Sequence, residues 1–254
     1  HGTFFMLGAY LVMTIAGREP ASLAAFFGAT LTAALVVGAL GLVTDFVVLR
    51  RLRNVDEHYA LIATFALLLV CEGTVKMIWG IDPRLVAPPP ALERLVVLAP
   101  GVTLPLYSLF VFVAGLVVFA ALKIVVHRIW VGKLMQALAN DAWMSGLLGV
   151  NVSFGLTATV VGSFFLAGLA GGILMPNQGL SPQLGEGYLL LAFTAVIIGG
   201  LGNVRGAFVA SLLLGLIESL SSVVLPKVPG LPIYFALVVF LLWKPNGIFG
   251  KARI

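Results

Sequence analysis

HRIWVGKLMQALANDAWMSGLLGVNV, residues 127–152, is the longest stretch of mixed polarity that still reads as a helix, and long apolar runs flank it on both sides. Leu134, Leu138, Trp143 and Leu147 or Leu148 recur at roughly helical spacing, while Lys133, Gln136, Asn140, Asp141 and Ser145 fill much of the remaining surface. Lodged between membrane spans, such a helix needs either a headgroup layer or a protein partner. The first alternative makes it an interfacial tie between two spans, the second a docking helix for a soluble subunit.

The rest of the chain supplies the membrane. Of 254 residues 61% are hydrophobic and 10% charged, and the mean hydropathy is +1.12; soluble domains carry about 25% charge. Several apolar runs reach or approach the roughly 17 to 25 residues that cross a bilayer, and closed backbone hydrogen bonding makes each of them a helix. The 29 glycines and 13 prolines are compatible with that reading, because spanning helices tolerate both and use small residues for close packing. The fold class is therefore an all-α polytopic bundle of about seven to eight transmembrane helices, some short or broken, in a single transmembrane domain over residues 1–254.

Residues 3–16 are too short to cross alone and read as the visible half of a span or one half of a broken helix. Spans follow over residues 22–49, 60–78, 104–126, 154–175 and 207–225, with shorter runs over 188–198 and 231–242. Residues 80–103, rich in proline, read as a rigid surface loop, and 176–187 and 226–230 as turns. The chain opens on His1-Gly2 in place of an initiator methionine, so a natural N-terminal helix is expected to precede it.

With the loops alternating, Arg50, Arg51, Arg53, Lys123, Arg128, Lys133, Arg205, Lys244, Lys251 and Arg253 fall on one side, against Arg18, Arg84, Arg94 and Lys227 on the other. The positive-inside rule places the first set, and with it residues 127–152, in the cytoplasm. Inside the runs, Glu72 and Lys76 stand four apart as a helical ion pair, Asp45 is about one turn from Arg50, and Glu218 either bonds across helices or lines a path. Thr159, Ser163, Ala167 and Gly171 form a small-residue face suited to helix contact.

Several classes of function lack their residues. The basic residues form no stripe with interleaved aromatics, so nucleic acid is not expected as a partner. His1, His58 and His127 have no metal-ligand spacing, and Cys71 stands alone. No nucleophile elbow, zinc-protease motif or nucleotide loop is present. GGLGNVRG at residues 199–206 lacks the Lys-Ser/Thr end of a phosphate loop and reads as a turn with Asn203 capping the next helix.

HGTFFMLGAY at the start, GVNV at 149–152, FFLAGLAGGI at 164–173, GGLGNVRGAF at 199–208 and WKPNGIFG at 243–250 together resemble the LivH-type permease of high-affinity branched-chain amino-acid ABC importers. The similarity covers nearly the whole chain in order. It implies a transport subunit of the bacterial inner membrane, with no catalytic site or cofactor of its own. The implied partners are a second, LivM-like permease, two cytoplasmic ATPases that use the ATP, and an extracytoplasmic solute-binding protein. Relatives of this pattern also import urea, short amides or other amino acids. The family's ATPase-contacting loop looks like residues 132–151, with Lys133, Ala137, Asp141, Leu148, Gly149 and Asn151 as the coupling residues. Gln136 stands where relatives tend to carry Arg, and Ser145-Gly146 replace an Ala pair. The substrate path is expected at His1, Gly2, Thr3, Phe5, Met6 and Glu218, with the helix starting near Thr3 pointing its N-terminus at the solute. A secondary transporter or a channel would instead show paired midplane charges or a filter-like repeat.

Overall fold

Apolar runs with no water around them must satisfy their own backbone groups, and here each one closes as a helix. The structure, a computed structural model, describes residues 1–53, 55–99, 102–224, 228, 230–244 and 247–248. In chain order the helices are α1 (Gly2–Ala16), α2 (Leu23–Thr44), α3 (Arg50–Leu52), α4 (Glu57–Trp79), α5 (Leu106–Arg128), α6 (Trp130–Asn140), α7 (Ala142–Leu147), α8 (Val152–Gln178), α9 (Leu184–Gly199), α10 (Val204–Val224) and α11 (Leu231–Trp243). A π-turn over Asp45–Leu49 joins α2 to α3 without a break, so the span Leu23–Leu52 has 30 residues. Five helices are long and apolar enough to cross a membrane, and α1, α9 and α11 are shorter apolar helices. This is a multi-pass, all-α membrane protein. Side-chain caps set several of the starts: Ser22 accepts from the Ala25 N–H, Asp56 from His58 and Asn151 from Phe154. Asn203 does the same for α10, accepting from the Gly206 N–H at 3.1 Å.

The core is built around α1, in which every residue from Gly2 to Met13 except Leu7 and Leu11 is buried. α2 lays against α1 and α8 a stripe of Phe26, Ala29, Ala33, Val37 and Gly41, the helical period of an element with one covered face. α8 runs parallel to α1: Phe4 stacks on Phe164 at a centroid distance of 3.9 Å, Gly8 meets Gly168, and Val12 meets Gly172. A second cluster, Ala195, Ile198, Ala210, Leu214 and Ile233, holds α9, α10 and α11 together. The outer faces of α4 and α5 are largely uncovered by the rest of the chain.

Three expectations change. The proline-rich segment is not merely a loop: β1 (Leu95–Ala99) and β2 (Val102–Pro105) pair antiparallel, Leu95 opposite Pro105 and Val97 opposite Thr103. The β-branched runs on either side of Pro100-Gly101 carried that signal. Secondly, the contact face of α8 is Phe164, Gly168, Gly171, Gly172 and Met175, not the expected stripe. Of that stripe Gly171 is buried, Ser163 and Ala167 are half-buried and Thr159 is exposed. Steps of four drift about 40° each on a helix of 3.6 residues per turn, so four such positions cannot share one narrow seam. Thirdly, Pro176 is inside the last turn of α8 rather than in the following loop. The turn expected at 226–230 and the tail from residue 245, with Lys227, Lys251 and Arg253, lie outside the described residues but for Val228, Gly230, Gly247 and Ile248.

Candidate translocation site and coupling elbow

α9, with 16 residues, is too short to span the roughly 30 Å hydrocarbon core at 1.5 Å per residue. Its first turn meets the Gly2 end of α1 inside the bundle. A Cβ on Gly2 would come within 2.1 Å of the Gly185 carbonyl oxygen, and one on Gly185 within 2.8 Å of the Gly2 oxygen. The depth is set by His1, whose ring stands edge-on to Phe164, near the middle of α8, at 5.1 Å. Beside this meeting point a narrow cleft of about 10 Å³ is lined by Thr3, Met6, Leu68, Glu72, Pro182 and Glu186. That volume is room for about one water, so the cleft is closed to a solute in this conformation.

Of the path residues read from the sequence, Gly2, Thr3 and Met6 gather here. Phe5 packs its ring on Tyr188 at 4.5 Å, with Glu218 of α10 within electrostatic reach of that tyrosine. Glu218 is exposed and, among the described residues, makes no carboxylate contact with another helix, and His1 packs on α8 instead of lining the cleft. Glu72 forms the expected ion pair, 2.6 Å from Lys76, and also faces the cleft, a placement that depends on α4 lying beside the start of α1. Glu186, in the first turn of α9, was likewise not legible as a site residue.

The opposite end of α1 is sealed by the segment after α4. Arg84 and Leu180 exchange both backbone hydrogen bonds, at 2.9 and 2.7 Å, and the Ala87 N–H donates to the Arg18 carbonyl at 2.9 Å. The Arg84 guanidinium donates to the Trp79 carbonyl, and the Trp79 indole N–H donates to Thr14 at 2.9 Å. Beneath this seal the Tyr10 hydroxyl is fully buried and, among the described residues, has no hydrogen-bond partner. Leaving a buried donor unpaired costs about 1 to 3 kcal/mol. Tyr10→Phe is therefore expected to raise the thermal midpoint of the detergent-purified subunit, by about 1 kcal/mol in stability; a lowered midpoint would show that the hydroxyl is engaged.

At the other end of the bundle α2 and α8 are joined by charge. The Asp45 carboxylate, 2% exposed, pairs with the Arg53 guanidinium at 2.7 Å and accepts a 2.5 Å hydrogen bond from Thr157. Arg50, the expected partner of Asp45, instead donates to Ser153 at 2.5 Å and stacks its guanidinium over the Phe46 ring at 5.4 Å. Arg53 lies about two turns on from Asp45, and the wider π-turn between them brings it back over the carboxylate.

Residues 127–152 form an elbow of two helices, not one. At Asp141 the backbone opens to φ −153°, ψ 99°, and its carboxylate caps α7 by accepting from the Met144 N–H. α7 ends with Gly149 at φ +84°, its N–H donating to Gly146 O and that of Val150 to Ser145 O, the paired bonds of a Schellman cap. Asn151 then caps α8. Three of the six residues expected to couple thus shape the elbow, whereas Lys133, Ala137 and Leu148 point outward. Leu138 is tucked under the elbow, and Gly132 is pressed on the Val125 and Val126 backbone. Trp130, Trp143, Leu147 and Leu148 are 72%, 72%, 64% and 78% exposed, an apolar ridge that only Trp143 and the leucine pair had announced.

Residues 1–243 match the family described as branched-chain amino acid transport system / permease component. The high-affinity branched-chain amino acid transport system permease protein BraD of Pseudomonas aeruginosa is 27% identical over 268 residues, covering 100% of this chain and 86% of that protein. The corresponding LivH protein of Escherichia coli K12 is 28% identical over 267 residues, covering 100% and 85%. A probable LivH of Methanocaldococcus jannaschii is 27% identical, covering 98% and 81%. No solved structure matches. With a family match running from the central helix α1 to the end of α11, the chain belongs to the permease-component family of branched-chain amino acid transport systems.

Proposed function

We propose that this subunit passes branched-chain or other hydrophobic amino acids across the bacterial cytoplasmic membrane, from an extracytoplasmic solute-binding protein to the cell interior. It works beside a second related permease, and two ATPase subunits at the elbow end bind and hydrolyse the ATP; the chain itself carries no cofactor and no catalytic residue. The observation that carries this reading is the apolar ridge of the elbow, exposed at the basic end of the bundle between α5 and α8. Burying such a patch calls for a partner.

The cleft chemistry suits a small amino acid. Glu186, in the first turn of α9, favours an ammonium, and Met6 and Leu68 favour an apolar side chain. A closed cleft supports transient passage rather than storage. Equilibrium binding of leucine to the isolated subunit at micromolar concentration would contradict that part of the proposal.

In vesicles holding the complete complex and its binding protein, leucine, isoleucine and valine uptake is expected to require ATP. Uptake driven by an ion gradient without the ATPases, or of urea or acetamide in place of these amino acids, would overturn the assignment. The double variant Trp143→Asp/Leu148→Asp is expected to lower both ATPase copurification and transport-coupled hydrolysis at least about tenfold, the effect of removing two buried apolar anchors. The subunit should still insert, since both side chains are exposed within the chain; unchanged coupling would remove the elbow from the ATPase contact.

A further inference from the structure

On the outer side of the α2–α8 pair, away from the cleft, lies a groove of about 460 Å³ whose walls include Leu35, Leu42, Phe154, Ala158, Gly162 and Phe165. Its walls are apolar along their length. One end is charged: Thr157, also in the groove wall, receives the Arg53–Asp45 pair, and the neighbouring Ser153 accepts from Arg50. Arg53 is neutralised by Asp45. Arg50 has no carboxylate partner among the described residues; its contacts are the neutral Ser153 hydroxyl and the Phe46 ring. An uncompensated guanidinium therefore stands on Ser153, one residue from the Phe154 end of an apolar channel.

The length of the groove decides what it holds. From Phe154 to Phe165 α8 rises about 17 Å, close to half the roughly 30 Å hydrocarbon thickness. The groove thus covers one leaflet, from the headgroup level at Arg50 to the middle of the bilayer, and stops there. An acyl chain running from the headgroup level to the bilayer midplane matches that length.

We propose that the α2–α8 groove is a binding site for an anionic phospholipid of the leaflet at the elbow end, one acyl chain lying along Gly162 and Ala158 and the phosphate resting on Arg50. Basic pockets beside spanning helices select anionic headgroups in this way. The lipid would bridge α2 and α8 on the face opposite their seam with α1, beside the elbow that follows α5.

Native mass spectrometry of the complete complex, with phosphatidylglycerol and phosphatidylcholine of identical acyl chains, tests the site. Phosphatidylglycerol is expected to be retained at least about fivefold over phosphatidylcholine, a preference of about 1 kcal/mol, and Arg50→Gln should erase it. Gly162→Leu should lower retention of both lipids. A Cβ at Gly162 meets nothing within 4 Å, so the added side chain fills the groove without disturbing the helix pair. Equal retention of the two lipids by the native complex would overturn the proposal. So would a phosphatidylglycerol preference untouched by Gly162→Leu, which would mean that Arg50 binds phosphate without the groove. A photoreactive residue at Ala158 that crosslinks to the second permease rather than to lipid would make the groove a subunit interface and overturn it equally.

Discussion

Gly171→Leu is expected to yield no stably folded subunit. A Cβ at this position would sit 1.9 Å from the Phe5 carbonyl oxygen and 2.8 Å from its carbon, so the clash is with backbone and no side chain can swing away. The leucine must push α8 off α1, the one helix buried on nearly every face. Overpacking against movable side chains costs about 1 to 3 kcal/mol, and a rigid backbone contact belongs above that range. Size-exclusion chromatography of the detergent extract should show aggregate in place of a monodisperse peak. Gly162→Ala and Gly215→Ala are the controls, because a Cβ at either meets nothing within 4 Å; both should stay within about 1 kcal/mol of the parent. A monodisperse Gly171→Leu protein with an unchanged thermal midpoint would mean that α1 and α8 do not meet as described.

Arg53→Met should destabilise the subunit by about 3 kcal/mol, because it strands the Asp45 carboxylate, 2% exposed, in the α2–α8 seam. Thr157 remains as a donor, but one neutral hydrogen bond does not replace a guanidinium. The converse experiment separates this cause from simple loss of packing. Removing both charges, as Asp45→Leu/Arg53→Met, should recover most of the lost stability, since an apolar pair in place of a buried ion pair is often neutral or better. If the double variant is as unstable as Arg53→Met alone, stranded charge is not the reason. Arg50→Met is expected to have a much smaller effect, as among the described residues Arg50 holds only Ser153 and the Phe46 ring.

Helix positions were legible in the sequence because hydropathy and backbone saturation leave the chain little choice; the runs at 22–49, 60–78 and 104–126 became helices with ends a few residues away. The Glu72–Lys76 pair and the Asn203 cap were legible for the same reason, both being local. What failed was pairing between elements. Asp45 chose Arg53 over Arg50 because a π-turn changed the rotation between them, and no periodicity argument contains a π-turn. Thr159 was assigned to a seam from which helical drift removes it. The cleft draws Thr3, Glu72 and Glu186 from three helices, and one sequence gives no measure of which helices are neighbours. The elbow was half legible: its amphipathic pattern was plain, but the break at Asp141 arises from a cap that competes with continuing the helix.

The bridge between Arg84 and Leu180 has an energetic reading. It consists of two backbone hydrogen bonds, each worth about 1 kcal/mol net, and it is backed by Val86 and Leu180, 4% and 1% exposed, and by the Ala87–Arg18 and Arg84–Trp79 contacts. Parting it would uncover two core side chains, each worth about 1.5 to 3 kcal/mol when buried. The closure is therefore continuous with the core around α1, and the amide hydrogens of Arg84 and Leu180 are expected to exchange with solvent as slowly as those of that core.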